Sequence, residues 1–514
     1  MVLDVQLVIR GVTVVDPRDG SLRAGQDVRI TGDRIVSVEP ARDDANVPAA
    51  AQVVDAAGRY LVPGFADMHA HPLGARDPSG SLDLMLAHGI TGFRQMSGSV
   101  RMLKDRAAGT LMPAGAPRLL AMPGAVLAPF NAGSGAAAVA TVREQHDLGV
   151  DFIKAALVTS EVFYQAQQEC RRLGISILGH LPNGIDVARA SGEGVRSVEH
   201  LGPGVSMLAC CSAEQEAVQD EVTARPTPRM PSVPPVIMPF LEPVFERMIG
   251  KLIINPVNRS RPAPRVPSVP PVLMPFLEPV FERMIGKLVI NPVNRSRPAD
   301  IGILEHAAST FDQGAATTMA AHFVRDGTWQ VPTLIRSRTM HLCDDIAFRR
   351  EPGLRYVAPT VLRGWSKAAK KFSAFPASAR QTFRAVYGVM LNLTKVLDEA
   401  GVSMLAGSDS GGAAWEVPGL ALHQEFDELA RAGLSPLRVL QMTTWNAAEF
   451  MNATDVMGSV AAGKHADLVL LEANPVESVD HLHRICGVVR GGRYLGPADL
   501  DALKEKVAAT RSAG

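Results

Sequence analysis

An apolar run that ends in two alternating histidines restricts the folding of this chain more than any other stretch. Residues 61–71 read Leu-Val-Pro-Gly-Phe-Ala-Asp-Met-His-Ala-His. Side chains alternate between the two faces of a β-strand, so His69 and His71 point to the same side. Two neutral imidazole nitrogens on one side of a strand can bind one divalent metal ion. Two surface histidines in a loop would have the same local sequence, so the metal interpretation depends on the rest of the chain.

The middle of the chain alternates predicted strands with helical segments, which indicates a parallel α/β barrel. After the first strand, the predicted strands are 90–96, 118–122, 151–157, 176–180, 197–200, 329–334 and 403–409. Polar residues lie at or near the carboxyl ends of these strands, which is where barrel enzymes place their active sites. Six of these polar residues would ring one mouth of the barrel as candidate metal ligands: His69, His71, Lys154, His180, His200 and Asp409.

Both ends of the chain show the pattern of β-hairpins. Short apolar runs in residues 5–60 are broken by the turn sequences Asp19-Gly20 and Gly32-Asp33, and similar runs occur at 466–471 and 485–490. We therefore expect one small β-sandwich built from both termini. Residues 1–60 would form its N-terminal part and 458–514 its C-terminal part and tail, with the barrel at 61–457.

Composition excludes several classes of protein. The 52 basic and 52 acidic residues cancel, so no global charge favours nucleic acid. The five cysteines have no metal-type spacing, and their odd number fits a reduced compartment better than a disulfide scaffold. The chain shows no leader pattern and no uninterrupted apolar stretch long enough to span a bilayer. We expect a cytoplasmic enzyme.

Residues 62–71 resemble the first barrel strand of the amidohydrolase superfamily, in particular imidazolonepropionases and Xaa-Pro dipeptidases, and 458–468 resemble the family's return into its sandwich. The resemblance implies a TIM (β/α)8 barrel with a small β-sandwich and two divalent metal ions. One ion would be held by His69, His71 and Asp409, and the other by His180 and His200. Carboxylated Lys154 and a hydroxide would bridge them. Zinc is the first choice, and manganese, cobalt and nickel remain alternatives.

Lys154 needs a separate argument because an ammonium group, with a reference pKa of about 10.4, would repel a divalent metal ion. Reaction of the neutral amine with carbon dioxide gives a carbamate, an anion whose two oxygens can bridge two metals. A lysine that reaches solvent from a strand end, or pairs with an acid, is the structural alternative.

The resemblance implies hydrolysis of a C–N bond in an amide or cyclic amide. A metal-bridging hydroxide would attack, and Asp409 would act as the catalytic residue, first as general base and then as general acid. A lactonase or phosphotriesterase could use the same centre, and a non-catalytic assembly protein is the alternative from another class. The expected partner is a small-molecule substrate, with no nucleic acid, in a homo-oligomer.

A tandem duplication interrupts the barrel pattern between the sixth and seventh strands. Residues 228–263 recur at 264–299, and the copies differ only at Met230/Val266, Ile237/Leu273 and Ile253/Val289. Such similar copies indicate duplication rather than a solenoid. The insertion at 228–299 opens on the active-site face, so a lid, a dimer contact or a membrane-touching patch are hypotheses for it. A surface insertion without a function fits the sequence equally well, because long insertions cost little loop entropy.

Overall fold

The computed structural model describes residues 5–42, 48–75, 77–128, 131–224 and 298–512. Its strands are β1 (Leu7–Val15), β2 (Leu22–Thr31), β3 (Arg34–Pro40), β4 (Gln52–Asp55), β5 (Tyr60–Pro63), β6 (Phe65–Ala70), β7 (Ile90–Gln95), β8 (Arg118–Ala121), β9 (Phe152–Ala155), β10 (Ser176–Gly179), β11 (Val195–Glu199), β12 (Trp329–Val331), β13 (Leu468–Leu471), β14 (Ile485–Arg490) and β15 (Arg493–Leu495).

The α-helices of the described residues fill the intervals between these strands and complete an α/β fold. They span Pro78–Ala87, Val100–Ala107, Gly135–Asp147, Ser160–Leu173, Val187–Gly192, Ser206–Cys210, Gln215–Thr223, Pro298–Ser309, Gln313–Asp326, Leu334–His341, Pro359–Ser373, Ala377–Glu399, Leu420–Arg431, Pro436–Thr443, Trp445–Phe450 and Pro497–Ser512. Within this described part of the chain, no helix is both long enough and apolar enough to cross a membrane.

Strands from both ends of the chain share one sheet. Its order is β15-β14-β13-β5-β1-β2-β3, and β4 pairs with β1. The two ends meet where β13 runs antiparallel to β5, with Val469 opposite Val62. Ile9 and, past a bulge in β1, Val12 are fully buried in the apolar core of this sheet. Both termini therefore contribute strands to one sheet, whereas the β-sandwich and the domain boundaries stay predictions.

Two parallel sheets make up a TIM-barrel-like domain. One has the order β6-β7-β8, and the other has the order β12-β11-β10-β9. Backbone hydrogen bonds extend from one sheet towards the other: the Leu127 amide donates to the Lys154 carbonyl at 2.8 Å, and the Met68 amide donates to the Ala406 carbonyl at 2.9 Å. All these strands run in the same direction, so their carboxyl ends lie together. This arrangement brings the ends of β6, β9, β10 and β11 to one mouth.

The predicted seventh and eighth strands are shorter than expected. β12 ends at Val331 because Thr333 adopts a left-handed backbone with φ of 45°, and a helix begins at Leu334. Residues 403–410 form no regular strand and have isolated β-bridges at Met404 and Ser410. Gly407 lies so close to β6 that an added Cβ would be 2.6 Å from the Cβ of His69. The close contact between Gly407 and β6 and the left-handed backbone of Asp409 (φ 52°) prevent a regular strand here.

The duplicated segment at 228–299 lies outside the described residues, except that its last two residues begin the helix Pro298–Ser309. Side-chain and backbone contacts connect the helices on either side of this segment. The His306 side chain lies 2.9 Å from Glu214 and 2.8 Å from Glu221, and the Ala213 amide donates to the Thr310 carbonyl at 2.8 Å. The chain therefore leaves and re-enters the fold at neighbouring points.

Candidate metal centre

The strand β6 delivers two histidines and the turn after Gly407 delivers a carboxylate to one point. His69, His71 and Asp409 are all buried, and each offers one ligand atom within 4.8 Å of the other two. The Asp409 Oδ1 atom lies 3.3 Å from Nε2 of His69 and 3.0 Å from Nε2 of His71. The structure thus brings together the three residues that the sequence assigned to one metal ion.

His200 lies on the other side of His69. The centroids of the His69 and His200 rings are 4.4 Å apart, and Nε2 of His200 is 4.0 Å from Asp409 Oδ2. His180 follows β10, and its ring centroid is 5.1 Å from that of His200. Both side chains are buried. The two histidines predicted to hold a second metal are therefore neighbours at the same mouth.

Hydrogen bonds at the outer nitrogens fix which nitrogen of each ring faces the centre. Nδ1 of His69 is 2.5 Å from the Glu199 carboxylate, so it carries the proton. Nδ1 of His200 is 2.5 Å from Thr333 Oγ1, whose own proton is donated to the Pro332 carbonyl at 2.7 Å. His200 must then donate from Nδ1. Both rings present a bare Nε2 lone pair to the centre, as metal ligation requires.

Lys154 lies beside one of these lone pairs. Its Nζ is 3.1 Å from Nε2 of His69, and the side chain is 4% exposed. Burial removes the hydration of the ammonium and lowers the pKa of Lys154 to about 8. At pH 7 about a tenth of the amine is therefore neutral, and the neutral amine is the form that reacts with carbon dioxide.

The charge states of the neighbours also suit cation binding. Burial lowers the pKa of His71 to about 4 and that of His200 well below its usual range, so both imidazoles are neutral at pH 7. Burial alone would raise the pKa of Asp409, but its interactions with His200, His69 and His71 outweigh burial and hold this pKa well below its usual value. Neutral imidazoles and an ionised carboxylate are the donors that divalent transition metals bind.

Sequence reasoning missed a buried charge pair that supports the histidines. Glu199 precedes His200 at the end of β11, and its Oε1 accepts a hydrogen bond from Arg94 at 2.9 Å. Arg94 also donates from Nε to the Met68 carbonyl at 2.6 Å. Burial would raise the pKa of Glu199, but the charge of Arg94 and the hydrogen bond from His69 lower it to about 2. An ionised Glu199 therefore holds the His69 ring, and the sequence signal was the acid directly before His200.

Arg336 is a second missed residue. It lies in the first turn of the helix after β12, is 3% exposed, and has its Nε 2.7 Å from Asp409 Oδ2. Nothing in its local sequence distinguishes it from a solvent-exposed helical arginine.

The donor set fits divalent metal ions. It combines nitrogen and carboxylate ligands, with the two ε-nitrogens of His69 and His200 directed inward by their partners at Nδ1. Three residues of this mouth, His200, Thr333 and Asp409, have left-handed backbones. Such conformations cost about 1–3 kcal/mol each for non-glycine residues and are concentrated at functional sites. The geometry therefore supports a metal centre.

Comparisons with known proteins agree with this geometry. A model of the amidohydrolase family matches residues 386–495. An adenine deaminase of Rubrobacter xylanophilus is 44% identical over 71 residues, which are 13% of this chain and 11% of that protein. An imidazolonepropionase of Cutibacterium acnes is 43% identical over 72 residues, 13% of this chain and 17% of that protein. The chain thus matches less than a fifth of the length of these relatives.

Solved structures are similar over nearly the whole chain. A bottromycin amidohydrolase has a TM-score of 0.65 at 22% identity and covers 98% of this chain and 90% of its own. A Xaa-Pro dipeptidase with bound methionine in its active site has a TM-score of 0.56 at 15% identity, with 95% and 99% covered. At these identities the likeness shows the fold, an α/β fold with a TIM-barrel-like domain.

Proposed function

We propose that this chain, whose residues 386–495 match a model of the amidohydrolase family, is a metal-dependent hydrolase that cleaves the C–N bond of an amide or cyclic amide. The observation that carries this proposal is the convergence of His69, His71 and Asp409, whose ligand atoms lie within 4.8 Å of one another in a buried mouth. The match to the amidohydrolase family supports hydrolysis of C–N bonds in general. The choice of an amide or cyclic amide as the substrate is part of our proposal.

Bound divalent cations would supply a hydroxide nucleophile near neutral pH and polarise the scissile carbonyl. His69, His71 and Asp409 would hold one cation and His180 and His200 the other. Asp409 would also take the proton of the nucleophile and deliver it to the leaving nitrogen, since its carboxylate faces the same centre. An amide nitrogen leaves poorly without that proton.

Carboxylated Lys154 belongs to this proposal as the bridging ligand. The position of its Nζ, 3.1 Å from Nε2 of His69, supports it, as does the lowered pKa of the amine. A buried ammonium next to bound cations would be strongly repelled, whereas a carbamate would be attracted. Zinc is the proposed metal, with manganese, cobalt or nickel as alternatives for the same nitrogen and oxygen ligands.

The finer predictions of architecture and location are also proposals. We propose that the strands β6–β12 and residues 403–410 close as a (β/α)8 barrel, and that the sheet of both termini completes a β-sandwich. All five cysteines are free, which suits a reducing cytoplasm. The proposed partners are a small-molecule substrate and further copies of the chain, without nucleic acid. A membrane contact through 228–299 is a hypothesis of the same kind.

A substrate screen tests the proposal. Purified protein loaded in turn with zinc, manganese, cobalt and nickel should be assayed against matched libraries of amides, lactones and phosphotriesters. Turnover of amides that depends on metal supports the proposal. Preferred turnover of lactones or phosphotriesters would assign the same centre to the alternative chemistry, and metal binding without any turnover would favour the non-catalytic relative.

A further inference from the structure

The guanidinium of Arg336 is a buried cation, and two of its three nitrogens lack an aligned hydrogen-bond acceptor among the described residues. Its Nε and Nη2 atoms are inaccessible to solvent, and within the described residues neither has a partner with hydrogen-bond geometry. Asp409 Oδ2 is 2.7 Å from Nε, but this ion pair does not align with the N–H bond. Unsatisfied buried donors cost about 1–3 kcal/mol each, and native structures keep few of them.

The surroundings of Arg336 hold little further negative charge. Among the residues that the structure describes, Glu416 is the other acid that acts on Arg336, and its Oε2 accepts a hydrogen bond from the Ala413 amide at 2.9 Å. Burial raises the pKa of Glu416 well above its usual value, which favours the neutral acid at pH 7. Asp409 therefore provides the main counter-charge for Arg336. Coordination of Asp409 to a cation would withdraw that counter-charge, and the guanidinium would then favour another anion.

Arg336 is placed where a substrate would lie. Its Nε is next to Asp409, which is itself 3.0 Å from His71, so the guanidinium borders the predicted metal centre. The left-handed turn at Thr333 aims the first turn of the helix Leu334–His341 into this mouth. Guanidinium groups bind carboxylates with two parallel hydrogen bonds, which fixes orientation as well as charge.

We propose that Arg336 is the specificity-determining residue that binds a carboxylate of the substrate. The substrates would then be amides with a free carboxylate close to the scissile bond, such as N-acyl amino acids or dipeptides. This inference rests on the proposed amide hydrolysis and narrows it to one class of substrate. It also separates binding, which Arg336 performs, from proton transfer, which Asp409 performs.

The test uses pairs of ligands that differ only in the carboxylate. N-Benzoyl and N-acetyl amino acids are compared with their carboxamides, using metal-loaded wild-type protein, Arg336→Met and Arg336→Lys. Arg338→Gln is the matched control, because Arg338 lies on the same helix but pairs with Glu428 at 3.3 Å and stacks on Phe348. Calorimetric binding is measured alongside turnover, and thermal midpoints and metal content show that each variant is folded and loaded.

We expect wild-type protein to prefer the acids, and Arg336→Met to lose about 100-fold in affinity and to raise KM for the acids, with a much smaller change in affinity for the carboxamides. Arg336→Lys should recover part of this loss because it keeps the charge. Equal binding of acids and carboxamides by wild-type protein, or a fall in kcat alone in Arg336→Met, would overturn the proposal. Metal-dependent hydrolysis of amides in that case would leave the proposed function intact. Carboxylate binding that depends on Arg336 without any turnover would instead refute only the proposed function.

Discussion

The Nδ1 atom of His69 lies 2.5 Å from Oε2 of Glu199, and both side chains are fully buried. Arg94 balances the charge of Glu199 from the opposite side, with Nη2 2.9 Å from Oε1. A carboxylate that accepts the outer proton of a histidine orients the ring and makes its inner nitrogen a better metal ligand. The Arg94–Glu199–His69 chain therefore connects a buried ion pair to the proposed metal site.

Replacing Glu199 with glutamine should weaken metal binding about 10- to 100-fold. The amide keeps the size of the side chain but loses the charge that fixes the proton on Nδ1 of His69. Metal titration followed by a competing chelator measures the effect. Glu193→Gln is the matched control, since Glu193 pairs with Arg189 at the surface at 2.7 Å. Unchanged affinity in Glu199→Gln would show that Glu199 does not support the metal site.

Turnover lost on replacing Lys154 should return only when another compound supplies the bridging oxygens. We expect Lys154→Ala to abolish turnover and short carboxylic acids such as acetate or propionate to restore part of it. Lys154→Arg should fail, because guanidinium stays cationic and cannot be carboxylated. Lys395→Ala, at an exposed helical lysine paired with Glu399, should behave as wild type. Wild-type rates in Lys154→Arg would make Lys154 an ordinary structural lysine.

The residues of the site differ in how far the sequence predicted them. His69, His71, His180 and His200 follow from the period of a strand and from the rule that barrel sites lie at strand ends. Their positions were predictable because each depends on its own strand. The same rule gave Lys154 and Asp409 as candidate ligands, their roles came from the family resemblance, and the structure places both beside His69.

The supporting residues were not predictable because they act across long sequence separations. Glu199 is 130 positions from His69 in the chain and Arg94 is 105 positions from Glu199, so no local pattern pairs them. Arg336 reaches the site only through the left-handed turn at Thr333, which a short apolar run before a helix does not reveal. The same turn ends β12 earlier than the sequence predicts. The left-handed residue Thr333 therefore explains both the missed arginine and the shorter strand.

Acid should destabilise the protein partly through His341. Burial lowers the pKa of this histidine from 6.5 to about 4, and its Nδ1 is 2.8 Å from the Ser337 carbonyl. Between pH 6.5 and 4 the unfolded chain therefore binds a proton that the folded chain refuses, and stability falls as the pH decreases through this window. His341→Gln should remove up to about 2 kcal/mol of the loss between pH 6.5 and 5.

Urea unfolding of wild type and His341→Gln at pH 7, 6 and 5 measures this difference in slope. His146→Gln is the control, because the His146 side chain is 41% exposed. An equal loss of unfolding free energy in wild type and His341→Gln over this range would contradict the role of His341.

One copy of the duplicated segment should be dispensable. In-frame deletion of residues 264–299 joins Ala263 to Asp300 and recreates the Pro-Ala-Asp sequence at the start of the helix Pro298–Ser309. The neighbouring helices stay joined through His306, Glu214 and Glu221. We expect a soluble protein with unchanged metal content and a thermal midpoint shifted by only a few degrees.

Two further readouts of this deletion assign a role to the segment. A change in KM would support a lid, and a change in oligomeric state would support an interface. Loss of soluble protein or of bound metal would contradict the placement of the duplication outside the barrel core.

Elemental analysis paired with turnover tests the metal-dependent hydrolase most directly. We predict about two divalent metal ions per chain, and His69→Ala and His200→Ala should lower both metal content and rate. His146→Ala should change neither. Full turnover by protein that contains no bound metal would contradict the account.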